Sequence, residues 1–240
     1  MYDIAIIGGS LSGLISAIEL SNEYNVCIID INQEIGFPTN FPGLSKNINL
    51  IKNLLSNEDQ SNLYLQENDI GWGMRSEWLI KYLTHLSAKK GVDILNRTRV
   101  SNIFFEDCFN IELIGGGPKN KIITSKIIIN ETNQIHSGPG DKNHKIILEN
   151  NNIINIETKN NQYFSGIIPT NKAQTIPNNI FKINRNDGLT EVWFNVKPKE
   201  EINWIEIKFC NSPTTSTLMI IDDYFLRSSK IITQSNKLLT

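Results

Sequence analysis

The sequence is poor in cysteine, carries no excess charge of either sign and has no long apolar run. Its three cysteines stand far apart, which argues against a disulfide framework and against a zinc site. A formal net charge of −2 provides no basic field, so no nucleic-acid partner is expected. Every apolar run is much shorter than the roughly 18 residues of a membrane span, so we expect no transmembrane segment and leave peripheral membrane contact open.

What the chain does contain is typical of a globular protein. Of its 240 residues, 40% are hydrophobic and 20% are charged, which suits one large domain or two small ones with a buried core. The N-terminus leads directly into an apolar strand pattern, which predicts no signal peptide and a cytoplasmic location. The three histidines have no ligand partner at metal spacing, so no metal site is expected.

The most informative segment is at the N-terminus. An apolar run over residues 4–7 stops at Gly8, and apolar residues then recur at spacings of three and four over residues 11–18, as in a helix. A second apolar run over residues 26–29 ends in Asp30. This order of strand, glycine turn, helix, strand and acidic residue is typical of a unit that binds an adenine dinucleotide.

Each residue type in this turn has a physical role in that chemistry. Gly8 permits a tight turn, and the amides and dipole of the helix start face a diphosphate. Gly13 lets the helix pack close to the strand, and Asp30, about 20 residues on, can accept from a ribose hydroxyl. Ser10 replaces the second glycine of the usual pattern and can itself donate to phosphate. The alternative is an ordinary βαβ unit with a glycine-rich loop. The predicted binding residues are Gly8, Gly9, Ser10, Leu11, Ser12, Gly13 and Asp30.

Periodicity along the rest of the first half predicts one long helix and a run of short strands. The helix begins at Ser76, which can cap it, and ends before Gly91. Strand patterns follow at residues 92–95, 97–100 and 103–105, and continue to residue 129. We expect these strands to form an antiparallel meander beside a parallel sheet.

The second half is mostly β in pattern. Strand candidates separated by Asn-rich turns run from about residue 133 to 217, with a short apolar strand at 218–221 and a final helix at 226–239. The predicted fold class is α/β. We predict a Rossmann-like dinucleotide-binding domain over residues 1–132, to which residues 218–240 return, and a β-rich substrate-type region over residues 133–217.

Several segments, taken with the N-terminal turn, resemble one flavoprotein superfamily. They are residues 34–38 after the first acid, residues 74–91 around the long helix, and the strand that includes residues 98–100. Together they resemble the aromatic hydroxylases and geranylgeranyl reductases, and within these the archaeal-type geranylgeranyl reductases. The resemblance runs from the N-terminus to the end of the meander.

The resemblance implies FAD as cofactor, in extended form, with its adenosine part on the N-terminal unit. Residues 8–13 would hold the diphosphate and Asp30 the adenosine ribose. Arg75 matches an arginine that approaches the cofactor, with a surface ion pair or a helix-terminus contact as the alternative. Val100 would offer backbone contacts to the adenine, with a plain core valine as the alternative. Asp223 matches the aspartate near the ribityl chain in the family's second flavin motif.

The chain departs from the family pattern at four places. Asp222 stands where the second flavin motif has glycine, and residues 127–133 replace an Ala-Thr-Gly or Ala-Asp-Gly turn. Phe41 falls near the position of the reductases' loop cysteine, and Glu191 stands at the tyrosine of their substrate motif. We therefore expect the adenosine half of the site to match the family and the flavin-ring half to be eroded or rebuilt.

The function that follows from the resemblance is an FAD-dependent oxidoreductase that reduces a carbon–carbon double bond in an isoprenoid or a related small apolar substrate. The sequence names no catalytic residue and no oligomeric state. One alternative is a non-catalytic nucleotide- or partner-binding protein that kept the fold and lost the flavin-ring site. Another is a nicotinamide-binding protein, because the N-terminal pattern alone does not separate FAD from NAD.

Overall fold

The computed structural model describes residues 1–37, 39–132, 150–156, 160–198, 201–213 and 220–240, which form an α/β fold and confirm the predicted class. The strands are β1 (Tyr2–Ile7), β2 (Val26–Ile29), β3 (Leu44–Ser45), β4 (Gln66–Asn68), β5 (Gly71–Gly73), β6 (Asp93–Leu95), β7 (Thr98–Phe105), β8 (Phe109–Gly115), β9 (Ile122–Asn130), β10 (Ile153–Ile154), β11 (Asn160–Pro169), β12 (Phe181–Asn184), β13 (Leu189–Phe194) and β14 (Glu206–Pro213). The helices are α1 (Leu11–Leu20), α2 (Asn49–Lys52), α3 (Asn57–Ser61), α4 (Ser76–Lys89), α5 (Thr170–Ala173) and α6 (Ile221–Leu239). No helix of these described ranges is long and apolar enough to cross a membrane.

Packing divides the chain into two compact units that interleave along the sequence. The first unit comprises Met1–Phe37, Ile80–Glu157 and Phe225–Thr240, and the second comprises Pro38–Leu79 and Thr158–Tyr224. The predicted division into residues 1–132 with 218–240 and residues 133–217 stays a prediction.

The first unit is built on a sheet of strand order β6-β2-β1-β9-β8-β7, with β10 also paired to β9. β1 is parallel to β2 and to β9, so Ile4 lies beside Val26 on one side and Ile127 on the other. Every residue of α1 except Glu19 is buried. Because these parallel strands end at the same edge, the start of α1 lies beside the carboxyl ends of β1 and β9.

The predicted meander is present as β7, β8 and the first half of β9, all antiparallel. β7 is one continuous strand where the sequence predicted two, at 97–100 and 103–105. A register shift between Val100 and Asn102 interrupts its pairing with β8, which accounts for the break in the hydrophobic pattern.

The second unit contains an antiparallel sheet of order β12-β13-β11-β14 and a small sheet of order β3-β5-β4. A cluster that includes Leu44, Ile183 and Trp193 forms one part of its core. Within the predicted β-rich region, residues 133–149, which include a strand candidate at 145–149, lie outside the described residues. Residues 71–73 form the central strand β5 of the small sheet, because their backbone pairs on both sides.

The final helix begins earlier than predicted. α6 starts at Ile221, whereas the sequence predicted a strand over 218–221 and a helix from Leu226. Asp222 and Asp223 lie in its first turn, where carboxylates interact favourably with the positive end of the helix dipole. Residues 218 and 219 lie outside the described residues, so the correction concerns Ile221 and the residues after it.

Candidate functional site

The turn between β1 and α1 has the local geometry that its glycines suggest. Gly8 adopts a φ of 109°, which favours glycine, and the Ser10 hydroxyl caps α1 by accepting from the Gly13 amide at 2.9 Å. A Cβ added at Gly13 would lie 3.3 Å from both the Gly8 carbonyl oxygen and Ile6 Cγ2. Helix and strand therefore pack at a separation that leaves little room for a side chain.

Asp30 is tied to this turn. Its Oδ2 accepts from the Gly9 amide and its Oδ1 from the Asn32 amide, each at 2.6 Å, and the residue is only 1% exposed. Burial raises the pKa of Asp30, and the two amide hydrogen bonds only partly offset this effect. A Cβ at Gly9 would lie 2.2 Å from Asp30 Oδ2, so the position requires glycine. The predicted ribose contact of Asp30 stays a prediction.

A second carboxylate, which the sequence interpretation missed, lies at the start of α1. Glu131 directly follows β9, and its backbone amide donates to the Ile7 carbonyl at 2.9 Å. Its Oε2 accepts from the hydroxyls of Ser10 and Ser12, each at 2.6 Å. The Glu131 side chain is fully buried. The opening of α1, where the sequence predicts a diphosphate, thus holds a side chain of the protein itself.

Arg227, on α6, is the ion-pair partner of the Glu131 carboxylate. The sequence interpretation did not identify this residue either. Its Nη2 donates to Glu131 Oε1 at 2.7 Å, and its Nε lies 3.0 Å from Oε1 and 3.2 Å from Oε2. Its Nη1 donates to the Ile156 carbonyl at 2.7 Å. The Arg227 side chain is 3% exposed, so this is a buried ion pair in which all three guanidinium nitrogens are used.

A sequence signal for Glu131 existed, whereas none existed for Arg227. The segment Asn130–Thr132 places a charged residue immediately after an apolar parallel strand, at the turn where the resembling family has Ala-Asp-Gly. Such residues lie at the binding edge of a parallel sheet. Arg227 is one of several charged residues on an amphipathic helix, and only the tertiary structure distinguishes it from those in solvent.

The remaining predicted binding residues are distributed between the units. Val100 lies half-buried on β7 in the first unit and packs against the hydrophobic cluster of that sheet. This packing is what the alternative interpretation, a plain core valine, predicts. Arg75 and Asp223 belong to the second unit. Asp223 is 4% exposed in the first turn of α6, and its backbone amide donates to the Ile220 carbonyl. Their predicted contacts with a cofactor stay predictions.

Arg75 lies among aromatic rings in the second unit. Its guanidinium carbon is 6.0 Å from the Tyr64 ring centroid and 5.8 Å from that of Trp78. Its Nε lies 3.9 Å from Asp187 Oδ2, at the outer limit of an ion pair, and its side chain is 35% exposed. The ion-pair alternative for Arg75 is therefore present in weak form, together with the cation–π contacts.

Asp222, which stands where the resembling family has glycine, has a structural role in the second unit. Its two carboxylate oxygens accept from the backbone amides of Lys46, at 3.0 Å, and Asn47, at 2.9 Å. These contacts join the start of α6 to the segment after β3. The replacement of glycine at this position thus brings a side chain that organises the backbone around it.

Glu191 lies in a buried group of charges within the second unit. Its carboxylate accepts from Arg185 Nη1, Trp193 Nε1 and the Gly43 amide, each at 3.3 Å. Lys208 pairs with Glu77 in the same region. Burial raises the pKa of Glu191, and the charges of Arg185 and Lys208 offset this only in part. The position that holds tyrosine in the family's substrate motif is therefore a buried carboxylate here.

Lys208 and Glu77 keep their charges in spite of burial. Desolvation acts to lower the pKa of Lys208, but the carboxylates of Glu77 and Glu191 outweigh it and raise that pKa. Desolvation likewise opposes ionisation of Glu77, and the Lys208 charge outweighs it, so the pKa of Glu77 is lowered. This pair is held ionised by mutual attraction. Across the residues that the structure describes, no group of three or more His, Cys, Asp or Glu side chains is arranged to hold a metal ion.

Comparison with protein-family models gives no match, and comparison with curated protein sequences gives none. Solved structures are similar in fold. Glycine oxidase from Bacillus cereus matches with a TM-score of 0.58 and 14% identity, over 99% of this chain and 95% of that one. A flavoprotein/dehydrogenase from Cytophaga hutchinsonii matches with a TM-score of 0.58 and 13% identity, over 99% of this chain and 78% of that one.

A geranylgeranyl bacteriochlorophyll reductase-like protein from Thermoplasma acidophilum matches with a TM-score of 0.56 and 13% identity, over 90% of this chain and 67% of that one. At these identities the likeness shows the fold alone. The chain shares the α/β, Rossmann-like fold of these solved structures, so the predicted fold class is confirmed.

Proposed function

We propose that this chain binds FAD at the glycine turn of its first unit and is an oxidoreductase of the flavoprotein type. The observation that carries the proposal is the parallel order β6-β2-β1-β9, with the turn at Gly8 between β1 and the buried α1. Such a turn presents backbone amides to a diphosphate at the helix N-terminus. The similarity of fold to flavoproteins along almost the whole chain supports the proposal.

The proposed roles follow the sequence prediction. The turn residues Gly8, Gly9, Ser10, Leu11, Ser12 and Gly13 bind and shape the diphosphate site. Asp30 accepts from the adenosine ribose, Val100 offers backbone contacts to the adenine, and Arg75 and Asp223 approach the rest of the cofactor. FAD, when bound, would supply the electron-transfer chemistry, while the protein binds and orients it. The residue types and the packing of the turn suit the diphosphate of FAD. The Glu131 side chain, however, occupies the position that the diphosphate would take.

The proposed substrate class is an isoprenoid or a related small apolar molecule. It rests on the sequence resemblance and on the name of the Thermoplasma protein, and a cytoplasmic location belongs to the same proposal. Glu131 specifically favours a second candidate, a non-catalytic nucleotide- or partner-binding protein that kept the fold. A carboxylate fixed at the start of α1 repels a diphosphate, as expected of a chain that no longer binds one.

The test is titration of the full chain with FAD, followed by flavin absorbance and fluorescence. The proposal predicts uptake of one FAD per chain, and Gly8→Ala should weaken this binding about tenfold or more, because the φ of 109° disfavours a residue with a Cβ. Gly91→Ala is the matched control: its φ is 85°, an added Cβ would meet nothing within 4 Å, and it lies at the end of α4.

The outcomes separate the candidates. Equal FAD affinity in the wild type and in Gly8→Ala would contradict binding at this turn. A protein that takes up no FAD favours the non-catalytic candidate, and uptake of NADH without FAD favours the nicotinamide alternative. A similar loss of FAD affinity in Gly91→Ala would assign the effect to general backbone strain.

A further inference from the structure

The contacts that hold Glu131 are of the kind that bind a phosphate group. Two hydroxyls, from Ser10 and Ser12, donate to a single oxygen, and the Arg227 guanidinium donates to both oxygens. These donors lie at the first turn of the ten-residue helix α1, and the positive end of the helix dipole there favours an anion. An anion of the chain itself thus has the donor set that a diphosphate oxygen would need.

The charges at the opening of α1 disfavour a further anion as long as Glu131 occupies it. Glu131 and Asp30 contribute two carboxylates next to the turn, and Arg227 is the guanidinium paired with Glu131. All three side chains are almost fully buried, so their charges are weakly screened by water. A diphosphate that entered beside an ionised, buried Glu131 would meet strong repulsion at close range.

We propose that Glu131 is an internal anion that occupies the diphosphate position, and that a dinucleotide binds by exchange: Glu131 leaves, and Arg227 changes partner from Glu131 to the diphosphate. This inference rests on the proposed dinucleotide-binding function and adds a residue to it. Arg227 becomes the counterion of the bound diphosphate, and Glu131 becomes the residue that sets the affinity. The hydroxyls of Ser10 and Ser12 donate to Glu131 before the exchange and to the diphosphate after it.

The test measures the affinity of the full chain for ADP, which carries the diphosphate without the flavin. Glu131→Gln removes the competing charge while keeping the size of the side chain, so it should tighten ADP binding about tenfold. Glu131→Asp keeps the charge next to Arg227, but it is one methylene too short to reach both hydroxyls, so we expect a gain of about two- to fivefold. Circular dichroism checks that each variant folds.

Asp3→Asn is the matched control. Asp3 is also a carboxylate paired with a base across β1 and β9, 2.8 Å from Lys126, but it lies at the opposite end of these strands from the turn. Its replacement changes the net charge by the same amount as Glu131→Gln and should leave ADP affinity within about twofold of the wild type. A gain in Asp3→Asn equal to that in Glu131→Gln would assign the effect to net charge and overturn the inference.

FAD, titrated in parallel, separates the inference from the proposed function. If ADP binds Glu131→Gln more tightly than the wild type and FAD binds neither protein, the exchange stands and the flavin function fails. If FAD and ADP bind both proteins equally well, the function stands and the exchange is overturned. If neither ligand binds either protein, both fail. Should Glu131→Gln not fold, ADP affinity in Glu131→Asp equal to or weaker than that of the wild type overturns the exchange.

Discussion

At the end of β2, the buried carboxylate of Asp30 accepts from two backbone amides, one of which belongs to Gly9 in the glycine turn. Its pKa is raised because burial outweighs these hydrogen bonds. A carboxyl group whose pKa is higher in the folded state binds its proton more tightly there than in the unfolded chain. Its contribution to stability is therefore complete below the usual pKa of 3.8 and falls as the pH rises from there.

Asp30→Asn makes this contribution measurable. The free energy of unfolding of the wild type, minus that of the variant, should decrease as the pH rises above about 4. Urea unfolding at several pH values gives both quantities, and the difference removes the titration of all other groups. A difference that is constant or increases with pH would show that burial does not dominate at Asp30.

The structural role of a residue could be predicted from the sequence where that role depends on the local backbone. The positive φ of Gly8, the close packing at Gly13 and the cap at Ser10 all follow from the order of residues over one turn. The sequence interpretation missed Glu131 because the importance of that residue depends on strand β9 ending beside α1. The sequence places the two elements far apart, and only the pairing of β1 with β9 brings them together.

Among the elements, α6 contributes to the first unit through a buried ion pair with the residue after β9. Arg227→Met leaves the Glu131 carboxylate buried without its counterion, so we expect the free energy of unfolding to fall by about 3–5 kcal/mol. Lys230→Met, an exposed position on the same helix, should change it by less than about 0.5 kcal/mol. Urea unfolding of the wild type and the two variants measures both effects.

The double variant Glu131→Leu with Arg227→Met controls for side-chain packing. It removes both charges while it keeps side chains of similar size, and should lose much less stability than Arg227→Met alone. A double variant as unstable as Arg227→Met, or a loss of less than about 1 kcal/mol in Arg227→Met itself, would contradict the account of this pair.

Element prediction was accurate where a hydrophobic period was long and clear. The pattern from Ser76 to Gly91 predicted α4, and the apolar runs predicted β1 and β2. It failed at β4 and β5, whose polar residues and glycines carry no strand period and which form through backbone pairing. It also failed at Ile221, which continues an apolar run but begins a helix with carboxylates in its first turn.

On the scale of the whole molecule, the α/β class could be predicted from the sequence, but the interleaving of the chain could not. One compact unit comprises Pro38–Leu79 and Thr158–Tyr224, two segments that residues 80–157 of the other unit separate along the chain. Amino-acid composition and hydrophobic periodicity are local properties of the sequence, so they do not predict which distant segments pack together.

The most direct measurement is a crystal structure of the full chain grown with FAD. The account predicts electron density for the diphosphate at residues 8–13, with the Glu131 side chain turned away from Ser10 and Ser12 and the Arg227 guanidinium on a phosphate oxygen. FAD bound elsewhere on the chain, or a diphosphate at the turn with the contacts of Glu131 unchanged, would contradict the account.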